Sequence, residues 1–151
     1  MPIYMQIIIN IVFSYVASVG FALTINVPHR ALNLAGVSGT VGWMVCWFMG
    51  RMLSNLMGAF VIGILGLFFA RIKKCPVTVF NIPALVPLVP GVPAYQAVRA
   101  LVNGNVFDAE ASFLRVGIVT CSIALGILLA TMFTEMFYRV KKFYKKRKIK
   151  L

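Results

Sequence analysis

The chain of 151 residues is 61% hydrophobic and 12% charged, and its mean hydropathy is +0.93. Soluble domains are about 45–50% apolar, so this composition excludes an ordinary soluble protein and indicates a membrane protein. The net charge of +12 suggests nucleic-acid binding, but eight of the basic residues lie in the last 13 positions, after the final apolar stretch. We therefore expect a basic tail beside a membrane and no nucleic-acid partner.

Five stretches of the chain carry no Asp, Glu, Lys or Arg: residues 1–28, 31–50, 52–70, 75–98 and 116–134. A helix that crosses the hydrocarbon core needs roughly 20 mostly apolar residues. Lipid offers no partners to backbone N–H and C=O groups, so each stretch should be helical, and the apolar runs lack the alternating polarity of barrel strands. The sequence predicts an all-α integral membrane protein of about five transmembrane helices. We place the membrane domain at 1–138 and a basic cytoplasmic tail at 139–151.

The first turn, at the end of the first stretch, reads Asn26-Val27-Pro28-His29-Arg30. Proline interrupts a helix because it lacks an N–H and its ring clashes with the preceding turn, so one span ends here and a second helix begins. Arg30 has two interpretations. It is either an anchor on the cytoplasmic side of the membrane or a cation that contacts a substrate.

Small residues recur every four positions on three of the predicted helices. They are Ala31, Ala35 and Gly39; Ala59 and Gly63; and Ser122, Gly126 and Ala130. Small residues at this spacing let helix backbones approach closely, so the stripes predict helix–helix interfaces. Whether each neighbouring helix belongs to this chain or to another one is left open.

The fourth stretch is unusual because it contains four prolines and a glycine within 11 residues: Pro83, Pro87, Pro90, Gly91 and Pro93. Four prolines are incompatible with one continuous helix, so the sequence predicts that the fourth span is broken. Irregular backbone survives at membrane depth only when it is buried in protein or lines a watery cavity. Broken helices are how many secondary transporters form their substrate sites, although a structural kink is the alternative.

The same segment offers contacts for a polar substrate. Each proline frees the carbonyl one turn earlier, which predicts backbone acceptors around Val79, Pro83 and Val86. The side chains that can hydrogen-bond are Asn81, Tyr95 and Gln96. Arg99 follows at the outer end, and an arginine can hold a carboxylate through two parallel hydrogen bonds. Arg99, like Arg30, has the alternative role of a membrane anchor.

The Lys and Arg residues predict the orientation, because cytoplasmic segments next to membrane helices are enriched in them. Five spans with the N-terminus outside place 12 of the 15 basic residues on the cytoplasmic side. If residues 75–98 re-enter and only four helices cross, with the tail still inside, nine of them lie there. We therefore expect a multi-pass protein of the cell membrane with an outer N-terminus and a cytoplasmic C-terminus. The tail should attract anionic lipid, at about 1 kcal/mol per basic residue.

Catalysis is not expected of this sequence. The three acidic residues are scattered, and no nucleophile lies beside a base. The spacing of the three cysteines and the single histidine matches no metal motif, and no nucleotide-binding loop is present. We predict no enzyme activity, no metal and no cofactor.

Two segments resemble a known family. They are Gly20-Phe21-Ala22 with Asn26-Val27-Pro28-x-Arg30-Ala31-Leu32, and Val79-Phe80 with Pro83-Ala84-x-x-Pro87-x-x-Pro90-Gly91 and Ala94-Tyr95. Together they resemble the threonine/serine exporter (ThrE-like) family, and most closely its small split subunit, the YjjB type. The likeness runs from about residue 15 to the last span, and the proline-rich segment is its most specific part.

The resemblance implies a subunit of a secondary exporter that acts with a larger membrane subunit, the YjjP-like half, or at minimum with further copies of itself. Its substrates would be threonine and serine, or dicarboxylates such as succinate. The alternative is an accessory membrane subunit that stabilises a partner and touches no substrate. The candidate substrate-binding residues are Asn26, Arg30, Asn81, Pro83, Pro87, Pro90, Gly91, Tyr95, Gln96 and Arg99.

Overall fold

The computed structural model describes residues 2–50 and 53–148. The burial of side chains is described up to Tyr138. Its elements are α1 (Ile3–Thr24), α2 (His29–Met49), α3 (Ser54–Lys73), α4 (Thr78–Leu85), a 3₁₀ turn (Val86–Leu88), α5 (Gly91–Val102) and α6 (Val106–Lys148). The helices α1, α2, α3 and α6 are each long and apolar enough to cross a membrane. A fifth span is formed if α4 and α5 are taken together, with a bend of 57° between them. The predicted all-α membrane fold is confirmed.

Two of the turns contain a residue in the left-handed conformation. Asn26 adopts a left-handed conformation with φ of 55°, which asparagine tolerates better than most residues. Pro28 then occupies the position before α2, where its missing N–H breaks no helical bond. At the end of α3, Lys74 is also left-handed, and its N–H closes α3 on the carbonyl of Ala70. The turn at Asn26 therefore joins α1 to α2, and the turn at Lys74 leads from α3 to α4.

Side-chain hydrogen bonds fix the pairing of α1 with α2. The indole Nε1 of Trp43 donates to Asn10 Oδ1 at 3.0 Å, and the Tyr15 hydroxyl donates to Asn33 Oδ1 at 3.3 Å. Residue numbers thus rise on one helix as they fall on the other, so the helices run antiparallel. Such bonds are worth about 0.6 kcal/mol on average between membrane helices, so they specify register more than they stabilise.

Two of the small-residue stripes pack against each other, α3 against α6. A Cβ built on Gly63 would lie 2.6 Å from Ala130 Cβ, and one built on Gly126 would lie 2.9 Å from Ala59 Cβ. The backbones can therefore approach only because one member of each pair is glycine. The partner that the sequence left open is a helix of the same chain. Residue numbers rise together along the two helices, so α3 and α6 are parallel.

The parallel arrangement of α3 and α6 determines how many times the chain crosses. At one shared end, the Arg71 guanidinium carbon lies 3.3 Å from the centre of the Tyr138 ring, which confirms the register. Because α6 runs in the same direction as α3, the chain must return across the bundle between them. The segment 75–105 therefore crosses rather than re-enters, and the four described long helices with this segment make five crossings. Which membrane face each end occupies stays a prediction.

Candidate functional site

The first half of the broken span is enclosed by protein. α4 and the 3₁₀ turn pack against α1, α2 and α3, while α5 packs chiefly against α6. Phe80, Pro83 and Ala84 are fully buried, and Leu88 is nearly so. The backbone of Ala84 approaches α2 at Gly39, where a Cβ would lie 3.2 Å from the Ala84 Cα. One face of α4 and of the 3₁₀ turn is thus buried inside the protein, whereas Val89 and Gly91 at the break are exposed.

The four prolines are divided among three elements. Pro83 lies inside α4, Pro87 lies in the 3₁₀ turn, and Pro90 precedes α5. Pro93 lies in the first turn of α5, where its missing N–H leaves no helical bond unmade. The predicted break is confirmed, and it falls at Val89 and Pro90, between the two halves of the bent span.

The expectation that the prolines leave free carbonyls is wrong at two positions. The N–H of Val86 donates to the Pro83 carbonyl, and the N–H of Val89 donates to the Val86 carbonyl at 3.3 Å. The tighter 3₁₀ winding supplies these bonds, because it pairs each carbonyl with an N–H three residues later. The segment therefore satisfies these acceptors itself, and a solute would have to be recognised mainly by side chains.

Three buried side-chain atoms lack hydrogen-bond partners among the described residues: Ser18 Oγ on α1, Ser38 Oγ on α2 and Asn81 Oδ1 on α4. We call these three residues the polar layer. The Ser18 hydroxyl lies against Gly39, and the Asn81 amide lies against Gly66 on α3; a Cβ on either glycine would overlap the polar group. Both serines are completely buried. Unpaired buried polar groups are uncommon and destabilising, so their occurrence on three neighbouring helices is informative.

The three side chains of the polar layer lie within about one helical turn of one another along the bundle. Ser38 directly precedes Gly39, which brings it level with Ser18. Gly39 also meets the backbone of Ala84, and Asn81 lies about one turn before Ala84 on α4, against Gly66. The polar layer is near the middle of α2, and Asn81 lies about two turns before the break at Val89 and Pro90.

The remaining candidate residues lie toward the two ends of the molecule or at the break. Asn26 and Arg30 are exposed at the end of the bundle that holds the basic termini of α2 and α3. Tyr95, Gln96 and Arg99 are exposed on α5. Gly91 faces open space at the break, and Pro90 is half-buried. Of the predicted site residues, the structure therefore brings Asn81, Pro83 and Pro87 into the interior and keeps the two arginines apart.

The serines of the polar layer were not among the candidates from the sequence. Ser14, Ser18 and Ala22 are spaced by four residues on α1 and are all buried, as a small-residue stripe predicts. A serine in such a stripe usually bonds a carbonyl of its own helix. Ser14 does so, donating to Ile11 O at 3.2 Å, whereas Ser18 does not. Only the three-dimensional structure shows that Ser14 has a hydrogen-bond partner and that Ser18 lacks one among the described residues.

Comparison with known proteins identifies the family. Residues 10–133 match the family described as Threonine/Serine exporter, ThrE. The chain belongs to the threonine/serine exporter family. This family assignment agrees with the resemblance seen in the sequence.

One relative of this chain is an uncharacterized protein of Haemophilus influenzae, which is 25% identical over 150 residues. The match covers 91% of the present chain and 50% of the relative. The chain thus spans about half the length of the curated relative it matches. No solved structure matches it.

Proposed function

We propose that the chain is a subunit of a secondary transporter that exports small amino acids such as threonine and serine, together with a larger membrane partner. The observation that carries the proposal is the broken span, whose first half is buried among three helices at the depth of the polar layer. Secondary transporters place substrate sites at such breaks near the bilayer midplane. The family match supports export as the direction of transport.

The path we propose follows α4, the 3₁₀ turn and α5. Asn81 lies inside the bundle on this path, and Tyr95, Gln96 and Arg99 continue it along α5. A substrate carboxylate needs a cation, and Arg30 and Arg99 supply one near each end of the path. Two separated arginines would equally serve dicarboxylates such as succinate, which are the second candidate substrates.

A larger partner subunit is supported by the surface around α5. Val102 is 82% exposed and Phe107 is 89% exposed, directly beside the exposed Asp108 at the start of α6. Charged neighbours place this apolar surface at the aqueous edge rather than in the hydrocarbon, and apolar surface there is typical of an interface. The relative is about twice as long as the region it shares with this chain, which provides a second half of suitable size.

The site assignment is tested by conservative substitutions in the native host, with export measured at matched protein levels. Arg30→Lys and Arg99→Lys keep the charge but lose the bidentate geometry, so we expect a sharp loss of export. Lys73→Arg is the control and should have no effect. Pro87→Ala and Pro90→Ala should impair export because they allow the helix to re-form. Normal export by all four test variants would reject the site and favour the accessory-subunit alternative.

The partner is tested by purification of the tagged chain from its native membrane. We expect it to bring down a larger membrane protein, or at minimum further copies of itself. Transport is then measured in liposomes that contain this chain alone and in liposomes that contain this chain with its partner, to determine which of the two preparations is active. A monodisperse monomer that transports alone would contradict the proposal.

A further inference from the structure

A groove of about 810 Å³ lies between the start of α3 and the first half of α6. We call it the Arg115 groove, and its lining includes Asn55 on α3 and Leu114, Arg115, Ile118, Val119 and Ser122 on α6. We propose that this groove binds an anionic phospholipid, with the phosphodiester at Arg115 and an acyl chain along the apolar residues. The groove lies near the start of α6, whereas the basic tail follows its other end, so the two lipid contacts are separate.

The groove exists because α6 extends beyond the helix on which it packs. Gly63 packs against Ala130, so residues 67 positions apart are level on the two parallel helices. Asn55, in the first turn of α3, is therefore level with Ser122. The part of α6 that precedes Ser122 continues past the start of α3, and α3 leaves its side uncovered. A ligand can lie along this side and still contact the first turn of α3.

Arg115 lies at the edge of the hydrocarbon. It directly precedes the charge-free stretch 116–134, whereas Asp108 and Glu110 come earlier on the same helix, where water can solvate them. Arg115 is seven residues before Ser122, which is about 10 Å along the helix axis. Headgroups add about 5–7 Å to each side of a hydrocarbon core of roughly 30 Å. The guanidinium is therefore at the level of lipid phosphates, while Ser122 is within the acyl region.

The charge of Arg115 has no acidic partner at helical spacing. Asp108 and Glu110 lie seven and five residues before it, and helix side chains pair at spacings of three or four. The Arg115 side chain is exposed. A guanidinium holds a phosphate through two parallel hydrogen bonds. The phosphodiester of a lipid therefore supplies both the counter-charge and the acceptors that this position needs.

The second polar contact is the amide of Asn55. Its Oδ1 accepts a hydrogen bond from Cys46 Sγ on α2 at 3.3 Å, and this leaves the two N–H donors of the amide for a ligand. Phosphate and ester oxygens of a phospholipid only accept, so they match these donors. Ser122 contributes less, because its hydroxyl already donates to the Ile118 carbonyl of its own helix at 2.8 Å.

The apolar part of the groove favours a lipid over a soluble anion. Ile118 and Val119 lie one turn deeper in the membrane than Arg115, and Ile118 is 68% exposed. Free phosphate or a soluble carboxylate would contact Arg115 and Asn55 and leave this apolar wall unused. A phospholipid contacts both, since its phosphate is at the level of the cation and its chain follows the wall.

A photoreactive residue, p-benzoylphenylalanine, substituted for Ile118 identifies what occupies the groove. The full-length protein is irradiated in phosphatidylcholine vesicles that contain a minority of phosphatidylglycerol, and the cross-linked lipid is identified by mass spectrometry. We expect phosphatidylglycerol to be captured about fivefold above its molar share, the enrichment that one interfacial cation produces. Arg115→Gln should reduce its capture to the molar share. Arg115→Lys keeps the charge, so capture should stay above that share.

Two controls show that any enrichment belongs to the groove. The same probe substituted for Phe13 is on α1, which packs on α2 and α4, and Phe13 is 70% exposed. It should capture the two lipids in proportion to their molar shares, in wild type and in both variants. Arg99→Gln removes one positive charge from α5, which packs on the same part of α6, and should leave the enrichment at position 118 unchanged.

Three outcomes would overturn the proposal. The first is capture of phosphatidylglycerol at its molar share by wild type, or equal enrichment in wild type and Arg115→Gln. The second is loss of the enrichment when soluble glycerol phosphate is added, which would show that the groove binds a free anion. The third is cross-linking of a protein at position 118 in native membranes, which would show that a partner subunit fills the groove. None of these outcomes depends on transport, so the proposed function is tested separately.

Discussion

Moving one methyl group from α6 to α3, through the double change Gly63→Ala and Ala130→Gly, tests the packing of the bundle. A Cβ on Gly63 would lie 2.6 Å from Ala130 Cβ, whereas its next neighbour, Ile127 Cα, is 3.7 Å away. The only collision that Gly63→Ala introduces is therefore with the methyl group of Ala130. Ala130→Gly removes that group, so the double variant should place the same carbon in the same space from the opposite helix.

The magnitudes follow from the two single changes. Gly63→Ala forces the helices about 1 Å apart, because carbon atoms pack at about 3.5–4.0 Å, and overpacking of this kind costs about 1–3 kcal/mol. Ala130→Gly loses a buried methyl group and helix propensity, together about 1–2 kcal/mol. The double variant regains both the packing and the propensity, so it should be within about 1 kcal/mol of wild type. The coupling energy is then about 2–4 kcal/mol in favour of the pair.

The measurement is reversible unfolding of the purified protein in mixed detergent micelles, with all four members of the cycle. Gly117→Ala is the control for the intrinsic effect of replacing glycine, since a Cβ there meets open space on α6. It should be neutral or slightly stabilising. Additive effects of the Gly63 and Ala130 changes would show that the two residues are not in contact. The parallel pairing of α3 and α6, and the five crossings that follow from it, would then be refuted.

Three further predictions test other parts of the structure. Cysteine labelling from one side of the membrane should reach position 104 from outside and position 148 from the cytoplasm, and labelling of both from the same side would exclude five crossings. Asn10→Leu removes the acceptor of the Trp43 indole, and should lower the free energy of unfolding by about 1 kcal/mol without impairing insertion; an unchanged stability would contradict this pairing. Neutral replacement of the basic residues after 138 should weaken binding of the purified protein to vesicles that contain anionic lipid, whereas equal binding by both forms would remove the predicted lipid contact.

Much of the fold could be predicted from the sequence, because the membrane imposes simple rules on it. Stretches free of charge located α1, α2 and α3 to within a few residues, and the prolines predicted the broken span. The last helix was predicted too short, at 116–134, whereas α6 covers Val106–Lys148. Hydropathy detects the part of a helix that lies in lipid, but a helix continues through charged residues such as Asp108 where water can solvate them.

The site was less predictable, because it depends on register between helices. The small-residue stripes were visible, but which stripe packs on which is decided by the crossing directions of α3 and α6. The carbonyls of Pro83 and Val86 were expected to be free, and local 3₁₀ winding satisfies them instead. Ser18 and Ser38 look like ordinary helix serines in the sequence, and only the packing shows that they have no partner.

The parallel packing of α3 and α6 has a consequence for how such a unit can be duplicated. An odd number of crossings leaves the two ends of the chain on opposite sides of the membrane. A second five-span unit joined directly to the C-terminus would begin on the side where the first one ends, and would therefore run in the opposite orientation. The product would be a pair of inverted repeats related by an axis in the membrane plane, an arrangement from which transporters alternate access between their two sides.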